Sequence, residues 1–126
     1  MRPKPRSLVC CFLASLVIAA CHRQAAVVEY GKLDWKDDLF LLEARPFTGM
    51  AQDKFPNGRT KCEYPMKEGR IHGIVREWYD NGQPSVETHF ENGKRHGLNR
   101  YWSREGKLTK EQVYEHDHSM SVKHFD

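Results

Sequence analysis

The chain has 126 residues, a formal net charge of +3, seven histidines and four cysteines. That length suits one domain with a modest core. The positive charge lies in Arg2, Lys4 and Arg6; without residues 1–20, 17 Lys plus Arg stand against 17 Asp plus Glu (20 − 3 = 17), so nothing here favours a nucleic-acid-binding protein.

Taken in order, residues 1–20 read as an export signal. A basic start is followed by an apolar run from Leu8 to Ile18 and then Ala19-Ala20-Cys21, the charged, apolar and small-residue order of such leaders. Leu16 to Cys21 resembles a bacterial lipobox, with Ile18 where leucine is commoner, so lipidation is expected on Cys21 and a membrane is the expected partner through that lipid. A cell-envelope location follows, the outer membrane where the source has one, because His22 rather than an aspartate comes next. Cys10 and Cys11 leave with the signal, so Cys62 has no internal disulfide partner and reads as a small hydrophobe on a strand.

Residues 21–34 carry weak signals and read as a tether. From Trp35 to the end a single repeat domain is expected. Leu39 to Arg45 is an apolar run, expected to be the closing strand of a decayed repeat that caps the sheet.

The centre of the chain is periodic. Gly49, Gly73 and Gly97 are 24 residues apart, as are Gly58, Gly82 and Gly106. Gly69 and Gly93 keep the same step, with Asp117 in the third place. A fixed period in the range of about 20–50 residues marks a repeat architecture. Within His72 to Arg95, two runs rich in β-branched and aromatic residues, Ile74 to Tyr79 and Pro84 to Phe90, are each followed by Asn-Gly. Asn-Gly suits a type I′ hairpin turn, while a helix would be interrupted every dozen residues. The unit is therefore a β-hairpin, repeated over about 49–71, 72–95 and 96–118 with degenerate caps. The fold class is all-β: an open single-layer antiparallel meander of stacked hairpins. Pro65 and Pro84 are expected to shorten the second strand of their repeats. The segment from Ser121 to the end is expected to form a last edge strand.

Columns across the copies group Met50, Ile74 and Leu98; Lys54, Trp78 and Trp102; and Met66, Phe90 and Tyr114. Even spacing puts Ile74 with Trp78, and Leu98 with Trp102, on one face. That aromatic stripe is the candidate partner-binding face, for an unknown protein or a second copy of the chain. Glu63, Glu87 and Glu111 also recur and read as solvated strand positions, and a change at Glu87 is expected to do little to capture of a partner.

The Pro46-Phe47-Thr48-Gly49 stretch, the Asn-Gly and Glu-Gly turns, and the joints Gly69 to Gly73 and Gly93 to Gly97 resemble the MORN-repeat variant over residues 39–117. The resemblance implies an elongated antiparallel sheet without catalytic activity. Bacterial members of this type are often labelled YwqK-like antitoxins, which makes a toxin the alternative partner. Asp117 for glycine and Ser103 in the column of Tyr79 depart from the pattern, and the last hairpin is expected to fray.

Catalytic signatures are not evident: there is no phosphate-binding loop, G-x-S-x-G or H-E-x-x-H. His116, His118 and His124 form the one histidine-rich tract, and H-x-H can place two zinc ligands on one strand face. Without a cysteine or a fourth ligand nearby, no metal and no cofactor is expected there. A small envelope metal protein or enzyme built on those histidines is the rival reading.

Overall fold

A computed structural model describes residues 25–126; the signal and Cys21 lie outside the described residues. Thirteen strands and one short 3₁₀ turn, Tyr30–Lys32, make up the fold: β1 (Val27–Glu29), β2 (Asp34–Lys36), β3 (Leu39–Leu42), β4 (Arg45–Pro46), β5 (Gly49–Lys54), β6 (Thr60–Lys67), β7 (Arg70–Ile71), β8 (Gly73–Trp78), β9 (Pro84–Glu91), β10 (Lys94–Arg95), β11 (Gly97–Trp102), β12 (Leu108–Glu115) and β13 (His118–His124). The main sheet runs β1-β5-β6-β8-β9-β11-β12-β13, with β7 on β6 and β10 on β9. It is an open antiparallel meander except for β1, which pairs with β5 in parallel.

Each 24-residue unit holds two long strands and two different turns. The turns at Glu68-Gly69, Asn92-Gly93 and His116-Asp117 have positive φ at both central residues, from 46° to 83°. The flanking pairs Lys67–Arg70, Glu91–Lys94 and Glu115–His118 close them as two-residue type I′ loops. The Asn81-Gly82 turn, expected to be of the same type, is not. Tyr79 N donates to Gln83 O and Gly82 N to Tyr79 O, and only Gly82 has positive φ (89°). This is a three-residue loop with glycine at the left-handed position, and Pro56-Asn57-Gly58 and Arg104-Glu105-Gly106 repeat it. The asparagines serve another purpose: Asn57 Nδ2 donates to Asp80 O (3.0 Å) and Asn81 Nδ2 to Arg104 O (2.9 Å), tying each loop to the next.

The two-residue strands explain how one repeat hands over to the next. After the type I′ turn the chain pairs back for two residues, then crosses to start the following long strand. The crossing is fixed by Gly69 N to Phe47 O, Gly93 N to Ile71 O and Asp117 N to Arg95 O, at 2.8, 2.8 and 2.9 Å. At the crossings Gly73 and Gly97 have φ of 111° and 105°, values an L side chain adopts only with strain.

Further expectations change. The tether is shorter than 21–34, because Val27–Glu29 adds to the sheet through the free edge of β5, with Met50 N donating to Ala26 O at 2.8 Å. Residues 34–46 form a separate three-stranded sheet, β2-β3-β4, rather than a further rung. Its turn at Glu43-Ala44 falls one residue ahead of the 24-residue register set by Glu68-Gly69. The N-terminal segments cover one face of β5 and β6, where Tyr30, Leu33, Phe40 and Leu42 pack on buried Phe47, Ala51 and Met66. Lastly, Pro65 does not shorten its strand: β6 runs eight residues through it. Its missing N–H costs nothing in the ladder, because that side of residue 65 faces β8 where the two strands diverge; β6 and β8 pair only at Cys62–Glu77 and Glu63–Arg76.

The hairpin of the last unit, expected to fray, is paired along its length, β11 with β12 from Gly97–Tyr114 to Trp102–Leu108. β12 and β13 pair from Lys110–His124 to Glu115–His118. Asp117 adopts φ of 70° in place of glycine, and its carboxylate accepts from both Arg95 N and Arg95 Nε at 3.0 Å. The edge strand expected from Ser121 starts earlier, at His118.

Candidate interaction face

Strand alternation sorts the main sheet into two faces. One holds the buried positions Ala51, Cys62, Met66, Val75, Thr88, Asn99 and Tyr114. The other holds Ile74, Arg76 and Trp78 on β8 and Leu98, Arg100 and Trp102 on β11. Bulges at Glu77/Trp78 and Tyr101/Trp102 lie where β9 and β12 each insert an extra residue, so Trp78 and Trp102 keep the alternation of their own strands. All four residues of the expected stripe are half-buried.

The stripe is not continuous. Cross-strand register lines up Gln52, Glu63, Arg76, Glu87, Arg100, Glu111 and Lys123 in one row across seven strands. Their side chains interact along the row. Gln52 Nε2 donates to Glu63 (3.1 Å), Arg76 pairs with Glu87 (3.5 Å), and Arg100 lies 3.8 Å from Glu87 and 3.1 Å from Glu111. Ile74 and Leu98 are on one side of this ladder, Trp78 and Trp102 on the other. The face is thus two apolar rows separated by alternating charge. Exposed pairs of this kind contribute roughly 0–1 kcal/mol each, but their order along the row favours one register, since a one-residue slip would part Arg76 and Arg100 from Glu87 and turn the strand's charges to the other face.

Glu87 is therefore not simply the solvated strand position expected. It lies between two guanidinium groups, with His89 Nε2 a further 3.7 Å from Glu87 Oε1, and its removal would leave two arginines facing each other. The signal was in the sequence: Arg76 and Arg100 recur at the period of Glu63, Glu87 and Glu111.

Cys62 is buried and unpaired. Burial raises its thiol pKa, only partly offset by a backbone hydrogen bond from Asp53, which is the condition of an inert thiol. Tyr64, on the same covered face, donates from its hydroxyl to Glu77 Oε1 at 2.8 Å; burial, then that hydrogen bond, raise its pKa.

The C-terminal histidines separate. His116 sits at the left-handed first position of the last type I′ turn, and His118 and His124 begin and end the exposed strand β13. His116 lies instead beside His96, with ring centroids 4.7 Å apart, so H-x-H proximity in sequence does not become proximity of ligands. Among the described residues no helix is long and apolar enough to cross a membrane.

Residues 71–92, the central hairpin from Ile71 to Asn92, match the family described as the MORN repeat variant. Neither a curated protein nor a solved structure matches the chain significantly. The matched hairpin is a MORN-variant repeat, and the 24-residue register extends its pattern to the hairpins on both sides.

Proposed function

We propose that this chain is a non-catalytic protein-binding module, held at an envelope membrane by lipid on Cys21. The observation that carries the binding reading is the uncovered face of β8–β12. There Ile74 and Leu98, and Trp78 and Trp102, flank a fixed row of alternating charge. Aromatic anchors beside ordered charges combine buried area with register selection, which is how specific protein interfaces work. A protein partner with an apolar ridge on either side of complementary charges would fit; the outer membrane is the proposed site in a two-membrane source.

The anchoring reading is supported by the leader, Arg2 to Ala20, and the small residues before Cys21. With β1 starting at Val27, the tether from Cys21 spans six residues, at most about 20 Å when extended. The module would then work close to the membrane surface. Cys21→Ser should leave an unprocessed precursor and abolish incorporation of labelled fatty acid; normal processing of that variant removes the anchor.

The binding face is tested by photo-cross-linking from Leu98 in intact cells. The mass of the adduct separates a second copy of the chain from a different protein, a toxin among them. Trp102→Ala should reduce adduct yield more than it reduces the folded fraction. If the folded fraction of Trp102→Ala cross-links normally, the rings only cover one another along the ladder and the partner binds elsewhere.

A further inference from the structure

The repeats act as controls for one another at the joints. At the joint of the second repeat His72 Nδ1 accepts the N–H of Asn92 at 3.2 Å, and at the first joint Thr48 Oγ1 accepts the N–H of Glu68 at 2.9 Å. One period later the partners are His96 and His116, and this bond is absent. His96 Nδ1 is buried without a hydrogen-bond partner, and the ring lies against that of His116 instead. The imidazole is not committed to the backbone there.

What the two rings share is a carboxylate. Glu91 Oε2 is 3.8 Å from His96 Nε2 and 3.9 Å from His116 Nε2. The ligand atoms of all three residues lie within 4.8 Å of one another. Their side chains are 49%, 41% and 55% exposed for Glu91, His96 and His116, so the group is open to solvent. In the preceding repeat the corresponding residues are Lys67, His72 and Asn92: one ligand, an ammonium and an amide. Relative to that joint, Glu91 and His116 are the two differences that complete the cluster here.

We propose that Glu91, His96 and His116 bind a divalent transition metal ion of the zinc class. Two imidazoles and one carboxylate are a ligand set such ions accept. A tetrahedral ion with bonds of about 2.0–2.2 Å keeps its donors about 3.4 Å apart, roughly half an ångström closer than Glu91 stands to either histidine. Exposed side chains on a turn and at strand ends close that gap by small χ rotations. Three protein ligands leave a fourth position for water or for a group from outside the chain. Glu91 ends β9, His96 lies in the crossing to β11, and His116 is in the turn after β12, so the ion would clamp three segments at the same end of the sheet.

The test is zinc titration of the full chain in detergent micelles by calorimetry, repeated with cobalt for its visible absorption. One equivalent should bind. His116→Asn, which restores the residue found at the preceding joint and suits the left-handed backbone, should weaken it by at least tenfold without lowering Tm. His118→Ala with His124→Ala should leave it unchanged. Introducing Lys67→Glu together with Asn92→His should raise the stoichiometry from one to two by building the same set around His72. Absence of saturable binding up to about 1 mM zinc overturns the proposal. So does binding that survives His116→Asn or disappears with His118 and His124.

Discussion

Asn99 and His89 offer the sharpest test of how this sheet is held together. Ala51, Val75 and Asn99 share one column and are 0%, 3% and 0% exposed, so an amide stands where the earlier copies have apolar side chains. Its Oδ1 accepts the N–H of His89 at 3.2 Å, while its Nδ2 is buried without a partner. One period before His89 the residue is Pro65, which has no N–H. Backbone geometry is otherwise shared: His72 N donates to Pro65 O and His96 N to His89 O, both at 2.9 Å. Where strands diverge toward the joint, an N–H at this position has no ladder partner. Between the first and second repeats the donor is removed, at Pro65, and Val75 is kept; between the second and third the donor is kept, at His89, and Asn99 supplies an acceptor.

Replacing both residues to copy the Pro65–Val75 pair should therefore be coupled. His89→Pro alone strands the whole amide of Asn99, and an unsatisfied buried polar group costs about 1–3 kcal/mol. Asn99→Val alone exchanges one orphan, Nδ2, for another, the His89 N–H, and should change stability by about 1 kcal/mol or less. The double variant has neither orphan and should be at least as stable as the parent, with a coupling energy of about 1–3 kcal/mol. Each kcal/mol is worth about 4–8 °C in Tm for a domain of this size, so thermal and urea unfolding of the four proteins resolve the cycle. Additivity within about 0.5 kcal/mol would refute the compensation.

Four further outcomes are expected. Gly97→Val places a Cβ at φ of +105°, 3.4 Å from His89 Cβ, and should cost more than about 1 kcal/mol in urea unfolding, whereas Ser103→Tyr, restoring the column of Tyr79, should be neutral or slightly stabilising. Tyr79→Phe removes the hydroxyl that donates to Trp102 O at 2.8 Å and should lower stability by about 0.5–1.5 kcal/mol, an amount readable as a shifted urea midpoint at constant slope. The Asp117 carboxyl is held below its ordinary 3.8 by the N–H and guanidinium of Arg95; its contribution is full above pH 3.8 and declines as pH falls through its lower folded-state value, and Asp117→Asn should abolish that part of the acid dependence of Tm.

The hairpin repeat was legible because its signals are local: Gly82 and Gly93 mark turns by conformational need, and the β-branched runs between them have no helical competitor. The column of Met66 and Tyr114 proves to lie on the buried face, where side chains of like register meet across a ladder. What stayed hidden depends on partners that the sequence does not place. Val27–Glu29 is a three-residue parallel edge strand, stabilised by the exposed edge of β5 rather than by its own pattern. Pro65 looked disruptive because only the divergence of β6 from β8 shows that its N–H is not needed. His116 was grouped with His118 by adjacency, yet the turn between them reverses the chain. Subtracting 24 from each departure in the third repeat would have grouped it correctly.

Those departures fall into two kinds, and the difference bears on function. Asn99 and Asp117 break the repeat pattern, but each is answered within the chain, by the His89 N–H and by Arg95. A change compensated in this way restores the hydrogen bonds of the fold and creates nothing for an outside ligand to use. Glu91 and His116 are not answered. They replace a lysine and an asparagine of the preceding joint, break the bond that His72 makes there, and leave one carboxylate between two imidazoles in solvent. The fold gains no joint bond from that change: the N–H of His116 loses the acceptor its counterpart Asn92 has. A repeat array tolerates such a loss at one joint because each unit rests mainly on its neighbours. That tolerance lets a stacked sheet carry ligand atoms at one joint while the other joints keep the fold.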